Sequence, residues 1–316
     1  MKKRIVVTGG AGFIGSQLTR KLHERGYDVV IFDDFSNASG KKNLPKNIKI
    51  IRKSILNVSA LRDAFKHAEV VFHLAVKPLP MSFNKPEKVV RVNDYGTYIV
   101  AKVCTDLKCK LIHVSSSEAY GTAKYIPMRE NHPFFPSTIY ASSKAAAEHY
   151  VKGFEKTEGL KAVIIRPFNS YGPFMREDVY AAALPNFYNR ISSGQPPIIH
   201  GMGNQTRDFT YVDDTVDGII LANEEPRAIG DTFNIGQGKE VSIKNMAKIM
   251  IKKYSEIAGK NLNFDLKYEK NRKGDVKRHL ADISHARKVL GYKPKITFEN
   301  GITKYISWKL SEKHHR

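Results

Sequence analysis

Two short stretches, Ser115-Ser116-Ser117-Glu118-Ala119-Tyr120-Gly121 and Tyr140-Ala141-Ser142-Ser143-Lys144, bring hydroxyls, a carboxylate, a phenol and an ammonium into one part of the chain. Tyr140 and Lys144 are spaced i, i+4, so on a helix they share a face one turn apart. An ammonium at that distance favours the phenolate and lowers the phenol's pKa from about 10 toward neutral pH. That shift is what makes a tyrosine a usable general base. Taken alone, the pair also fits an exposed surface contact; its meaning depends on what lies upstream.

Upstream, Thr8-Gly9-Gly10-Ala11-Gly12-Phe13-Ile14-Gly15 joins a β-branched run to a helical stretch. Glycines at 9, 12 and 15 let the turn tighten, a pyrophosphate approach the backbone, and the helix pack on the sheet. The helix N-terminus supplies N–H donors and positive partial charge for the phosphates. Eighteen residues past Gly15, Asp33 ends the second strand-like run. A carboxylate there accepts both hydroxyls of an adenosine ribose and repels a 2′-phosphate. The expected cofactor is NAD rather than NADP.

These residues need a scaffold of alternating strands and helices. Strand-like runs fall at Arg4 to Thr8, Asp28 to Asp33, Ile48 to Ile51, Glu69 to Ala75, Lys110 to Ser115 and Lys161 to Arg166. Helical patterns fall at Gly15 to Arg25, Ser59 to Lys66, Lys88 to Leu107 and Ile139 to Lys156. Strands that read as continuous apolar runs are buried on both faces, which implies a parallel sheet covered by helices. The expected fold is α/β, a Rossmann-type doubly wound parallel sheet over residues 1–166. Residues 167–316, punctuated by Pro, Gly and aromatic residues, read as a smaller α+β region with segments returning to the first.

The chain is strongly basic, with 52 Lys and Arg against 31 Asp and Glu, a net charge of +21. The basic residues are scattered and carry no helix-turn-helix, finger or RNA-binding sheet signature, so an anionic metabolite is the expected partner and nucleic acid is not. No apolar run approaches the roughly 18 residues of a membrane span. Met-Lys-Lys-Arg runs straight into Ile5-Val6-Val7 without a signal-peptide pattern, so no membrane partner and a cytoplasmic setting are expected. Cys104 and Cys109, the only two cysteines, read as reduced thiols, and the 11 histidines show no metal-ligand spacing; no metal is expected.

With these motifs in order, the chain resembles the extended short-chain dehydrogenase/reductases, specifically the NAD-dependent epimerase/dehydratase family that acts on nucleotide sugars. The resemblance runs nearly end to end. It includes the glycine loop, Phe72-His73-Leu74-Ala75, Val92-Asn93 with Gly96-Thr97, the Ser–Glu segment, Tyr140 to Lys144, and Arg166-Pro167-Phe168-Asn169-Ser170-Tyr171-Gly172-Pro173. Further on come Gly203 to Phe209, Arg272-Lys273-Gly274-Asp275 and Ala281-Asp282-Ile283-Ser284.

The resemblance implies roles residue by residue. Tyr140 takes the proton of the sugar C4 hydroxyl as hydride passes to the nicotinamide; Lys144 binds the nicotinamide ribose and depresses the Tyr140 pKa. Ser116 bonds the same hydroxyl, with Ser117 beside it. The cofactor is held by Gly9, Gly12, Phe13, Ile14, Gly15, Asp33, Ser54, Ile55, Leu74, Ala75 and Asn93, besides Tyr140 and Lys144. Asn169, Arg207 and Arg272 meet the sugar diphosphate, where a guanidinium fork suits phosphate. His279 sets the width of the sugar pocket. Residues 167–316 become mainly the nucleotide-sugar domain, and a homodimer forms through the helix of Tyr140 and the one before it. Two places depart from the family pattern. Ser54-Ile55 replaces an acidic residue at the adenine, and the Leu74 to Pro80 loop is proline-rich and one residue short.

Oxidation at C4 acidifies C5 and leaves several products open. A ketone that turns over and is reduced from its other face gives the 4-epimer, here of a UDP-hexose. Removal of the C5 proton with loss of the C6 hydroxyl gives a 4-keto-6-deoxy sugar, with Glu118 as the base. A C6 carboxylate can instead leave as carbon dioxide. A non-catalytic sugar-nucleotide or NAD-binding protein is the remaining reading, opposed by the intact Ser116, Tyr140 and Lys144.

Overall fold

A computed structural model of the protein describes residues 3–178, 182–270 and 276–314. Six β-branched and aliphatic runs form the strands β1 (Arg4–Thr8), β2 (Asp28–Phe32), β3 (Lys49–Ile51), β4 (Val70–His73), β5 (Lys110–Val114) and β6 (Ala162–Pro167). The second half adds β7 (Asn169–Tyr171), β8 (Ile198–His200), β9 (Thr206–Tyr211), β10 (Thr232–Ile235), β11 (Glu240–Ser242) and β12 (Lys267–Glu269). All pairs in the main sheet are parallel, in the order β10-β6-β5-β4-β1-β2-β3. The chain moves outward from β1 to β3 and then returns to β4, so the strand order reverses between β1 and β4. That reversal opens a crevice at the carboxyl ends of the strands, where doubly wound folds bind their ligands.

Alternation along each strand builds two cores. Val6, Val30, Val71, Leu111 and Ile164 face one way and pack with Leu61, Phe65, Val100 and Val151. Ile5, Val7, Phe72, Ile112 and Ile165 face the other way and pack with Leu18, Leu22, Val216 and Ile219. Both faces are covered, which accounts for the apolar runs in the sequence.

The helix Ile139–Glu158 carries Tyr140 and Lys144. It starts because the Thr138 side chain accepts from Ala141 N at 3.1 Å, and it stops at Gly159 in a left-handed conformation, φ 72°. The other long helix expected in this half, Lys88 to Leu107, is not one α-helix. It is a short turn at Pro86–Val89, a π-helical stretch at Val90–Tyr95 and an α-helix at Gly96–Asp106. The wide turn delivers Asn93 inward, where its Oδ1 accepts from Lys77 N at 2.7 Å and its Nδ2 donates to Lys77 O at 3.0 Å. A sequence pattern of helical spacing does not distinguish this inserted turn from a regular one.

The main sheet also takes a strand from residues beyond 166. β10 lies parallel to β6, with Thr232 opposite Ile164 and Ile235 opposite Pro167. β7, β9 and β11 form a separate small sheet, and β8 pairs with β12.

Candidate active site

The crevice between β1 and β4 is a cavity of about 310 Å³. Its floor is the glycine loop. Gly9 has φ 71°, and a Cβ there would lie 2.6 Å from Ala75 N; a Cβ on Gly15 would lie 2.1 Å from Gly9 O. Both positions therefore require glycine, one for its backbone sign and one for contact. Gly9, Gly12, Phe13, Ile14 and Gly15 all line the cavity, as do Ser54 and Ile55 at its outer end.

Asp33 follows β2 and also lines the cavity. Its Oδ2 accepts from Ala11 N at 2.9 Å and its Oδ1 from Phe35 N at 2.7 Å. Burial raises its pKa; the two N–H donors, and more distantly Lys77, act against that rise. Each oxygen keeps a further lone pair for a ligand hydroxyl.

Leu74 and Ala75 leave the end of β4 and form the facing wall. An ordered chain of hydrogen bonds fixes them. Ala75 N donates to Thr8 Oγ1 at 3.4 Å, and Thr97 Oγ1 donates to Asn93 O at 2.6 Å. Between them His73 bonds Thr8 through Nδ1 at 2.7 Å and Thr97 through Nε2 at 3.0 Å. Because Thr97 spends its proton on Asn93, His73 must donate from Nε2 and accept at Nδ1. Burial holds this imidazole neutral, with a pKa near 3, and the Lys144 charge adds to the effect.

Asn93 itself is not among the described residues lining the cavity. Its side chain bonds Lys77 on both backbone groups and Ser143 Oγ at 3.3 Å, which fixes the loop that carries Lys77.

Opposite stands the proton-handling group. The Ser117–Tyr120 turn is capped by Ser116, whose Oγ accepts from Glu118 N at 3.2 Å. Ser116, Ser117, Glu118, Tyr140 and Lys144 all line the cavity. Lys144 Nζ donates to Val114 O at 2.8 Å. Burial lowers its pKa to about 8, against a pull upward from Glu148.

Tyr140 is buried beside Ser116 and Glu118. Burial pushes its pKa up to about 12, the Ser116 hydroxyl bonded to the phenol draws it down, and the charge of Glu118 pushes it up. The Lys144 ammonium is directed at the Val114 carbonyl.

Asn169 lines the cavity, and its Nδ2 is buried without a hydrogen-bond partner. An unpaired buried donor is costly unless a ligand meets it. Arg207 is buried, with Nη1 donating to Thr206 O at 2.9 Å and Val276 O at 2.6 Å. Arg272 lies outside the described residues. His279 does not line the cavity among the described residues. It is fully buried, its Nε2 donates to Gly121 O at 2.7 Å, and burial followed by the Arg207 charge lowers its pKa to about 4. It braces the turn that ends at Gly121.

Several lining residues gave no signal in the sequence, among them Asp34, Ser36 and Asn37, while Lys77 lines the cavity from the Leu74 to Pro80 loop. Among the described residues no cluster could hold a metal ion, and no helix is long and apolar enough to cross a membrane.

A family model described as GDP-mannose 4,6 dehydratase matches residues 6–305. A putative UDP-glucose 4-epimerase of Methanocaldococcus jannaschii is 34% identical over 308 residues, covering 96% of this chain and 97% of the relative. A UDP-N-acetyl-alpha-D-glucosaminuronate decarboxylase of Bacillus cytotoxicus is 32% identical, with 98% of each chain covered. Among solved structures, the UDP-glucuronic acid 4-epimerase of Bacillus cereus in complex with UDP-glucuronic acid and NAD superposes with a TM-score of 0.87 at 31% identity, covering 98% of this chain and 99% of that one. Glycine loop, strand-end aspartate and Tyr–Lys helix thus meet in one crevice on a scaffold shared end to end with these enzymes, and the chain belongs to the GDP-mannose 4,6-dehydratase family of extended short-chain dehydrogenase/reductases, NAD-dependent enzymes of nucleotide-sugar epimerisation, dehydration and decarboxylation.

Proposed function

We propose that the protein is a UDP-hexose 4-epimerase that oxidises the sugar at C4 and reduces it again from the other face. The observation that carries this reading is the convergence of Ser116, Tyr140 and Lys144 in one cavity with the glycine loop and Asp33, with Glu118 the one carboxylate among the described residues whose charge acts on the phenol. Epimerisation needs only the redox group and room for the ketone to turn. Dehydration needs a proton donor for the departing C6 hydroxyl as well as a base on C5. The residue beside Glu118 is Ser117, which is 3% exposed and no acid.

In this reading NAD, when bound, accepts and returns the hydride. Gly9, Gly12, Phe13, Ile14 and Gly15 hold its pyrophosphate, Asp33 its adenosine ribose, Ser54 and Ile55 its adenine, and Lys144 its other ribose. Tyr140 takes the C4 hydroxyl proton and Ser116 orients that hydroxyl. A phenol held near 12 needs a nearby positive charge to act as a base at neutral pH; the oxidised nicotinamide carries one. Asn169, Arg207 and Arg272 meet the diphosphate. Residues 1–166 serve the cofactor and residues 167–316 mainly the sugar nucleotide, with β10 returned to the main sheet.

Glu118 supports the second reading, elimination or decarboxylation, because its charge reaches the Tyr140 phenol. Glu118→Gln separates the chemistries. An epimerase keeps turnover within about threefold, whereas a dehydratase still reduces its bound NAD but no longer loses water, a cost of about 10²-fold or more. Separate incubation with UDP-glucose, UDP-N-acetylglucosamine and UDP-glucuronate, with products weighed and read by NMR, decides the product. Unchanged mass with an inverted C4 supports epimerisation; loss of water or of carbon dioxide rejects it.

We also propose a homodimer working in the cytoplasm. The Ala145 to Ala147 run is not what would join the copies, since Ala145 and Ala147 are buried within the chain. Instead Tyr95, Tyr98 and Tyr150 are exposed at 55%, 38% and 39%; Tyr95 stacks on Tyr98 along one helix, and Tyr98 meets Tyr150 of the other edge-on, with centroids 5.9 Å apart in each pair. Such an aromatic face suits a four-helix contact. Light scattering should give twice the chain mass; a monomer at micromolar concentration rejects the dimer. Cell fractionation tests the compartment.

A further inference from the structure

Between β2 and the end of the glycine loop, residues 34–39 form a strap that borders the cavity, and two cations from distant parts of the chain hold it. Its far end is tied by Gly40 N donating to Ala11 O at 3.0 Å. Its near end passes through Phe35 in a left-handed conformation, φ 60°, sparsely populated by aromatic residues. Asp34, Ser36 and Asn37 line the same cavity as Gly9, Gly12 and Phe13, and Asn37 O lies 3.7 Å from where a Cβ on Gly12 would be. The strap thus stands directly over the glycine loop.

Lys77 grips it from the β4 side. Its Nζ donates to Ser36 Oγ and lies 3.5 Å from Asp34 Oδ2, with the side chain only 12% exposed. Asn93 clamps the Lys77 backbone on both its N–H and its carbonyl, so this cation projects from a fixed point. Arg176 grips the strap from the second half of the chain: its Nη1 donates to Asn37 Oδ1, and Asp178 orients the guanidinium through bonds of 2.6 Å to Nε and to Nη2. Neither cation belongs to the proton-handling group.

We propose that Lys77 and Arg176 are positioning residues that keep the 34–39 strap closed over the dinucleotide, so that the cofactor stays on the enzyme between the two hydride transfers. The inference rests on the function proposed above. In that reaction the hydride removed from C4 must return to the same sugar. A reduced cofactor that escaped in between would leave a keto sugar behind and an enzyme unable to finish. Retention is then a requirement of the chemistry. Two charged contacts that must both break before the strap opens slow the escape without touching the reacting atoms.

The test follows release of radiolabelled NAD from loaded enzyme into excess unlabelled NAD. Lys77→Met and Arg176→Gln should each speed release about tenfold, the double variant should exceed both, and Lys77→Arg should restore most of the slow release. ADP-ribose, which spans the strap, should weaken in step, while the thermal midpoint stays near that of the parent. Asn37→Ala removes the Arg176 contact from the strap side and should match Arg176→Gln. Release within twofold of the parent in all three single variants overturns the proposal, as does faster release accompanied by an equal loss with Lys77→Arg. A parent that binds no NAD sinks the proposed function and the strap together; a parent that binds NAD, with variants that release it no faster, sinks the strap alone.

Discussion

Tyr140→Phe is expected to lower turnover by about 10³-fold or more, some 4 kcal/mol of barrier, with NAD and nucleotide-sugar affinities within about threefold of the parent. The substitution removes one oxygen and leaves a ring of the same shape in the wall. What disappears is the only described phenol in the cavity and the bond it shares with Ser116. Lys144 stays bonded to Val114 O, and the glycine loop is untouched. The loss should therefore fall on kcat, and on reduction of bound nicotinamide in a single turnover followed by its absorbance. A variant retaining more than about a tenth of parental turnover would show that some other group takes the C4 proton.

The same residue marks the limit of what spacing conveys. Tyr140 and Lys144 are legible because both sit on one helix and a period of four residues fixes their common face. The direction of each polar atom is set by other elements. Val114, at the end of β5, captures the ammonium, and burial raises the phenol's pKa while Ser116 and Glu118, on the turn that follows, pull it down and up. Asp33 was legible for the reason Tyr140 was: strand, loop and helix are contiguous, and the distance from Gly15 measures the reach of an adenosine. Asn93 and His279 were legible as residues, but their hydrogen-bond partners were not. Asn93 reaches Lys77 through a π-helical turn that sequence periodicity does not reveal, and His279 meets Gly121 across 158 positions of chain. Asn37 gave no signal, and the contacts of Lys77 were not legible, because their partners come from separate loops.

The largest expected effect on stability lies in a network that stands one helical turn beyond Lys144. Glu148 and Arg166 are only 3% and 7% exposed at their side chains. The guanidinium donates from Nε to both carboxylate oxygens at 3.0 Å and from Nη2 to Oε2 at 2.6 Å. Its remaining fork donates to Tyr120 Oη at 2.6 Å and Glu130 O at 2.7 Å, and Tyr120 passes its own proton to Asn234 Oδ1 at 2.8 Å. One arginine thereby joins the helix of Tyr140 and Lys144, the turn of Ser116 and Glu118, and the returning strand β10.

Arg166→Met leaves Glu148 buried and unpaired, which should cost about 3–5 kcal/mol in urea unfolding; Glu148→Leu strands the guanidinium and should cost a similar amount. Replacing both partners removes both buried charges, so the double variant should recover much of that loss instead of summing the two. Tyr120 and the Glu130 carbonyl would still lack their donor, which keeps the recovery incomplete. Single variants costing under about 1 kcal/mol, or a double variant costing the full sum, would mean the pair is not the junction the geometry describes. Function should separate from stability in the same set. Because the pair holds the Ser116 turn against the Tyr140 helix, the stable double variant should bind NAD through the intact glycine loop yet turn over more slowly, its two proton-handling segments no longer fixed to one another.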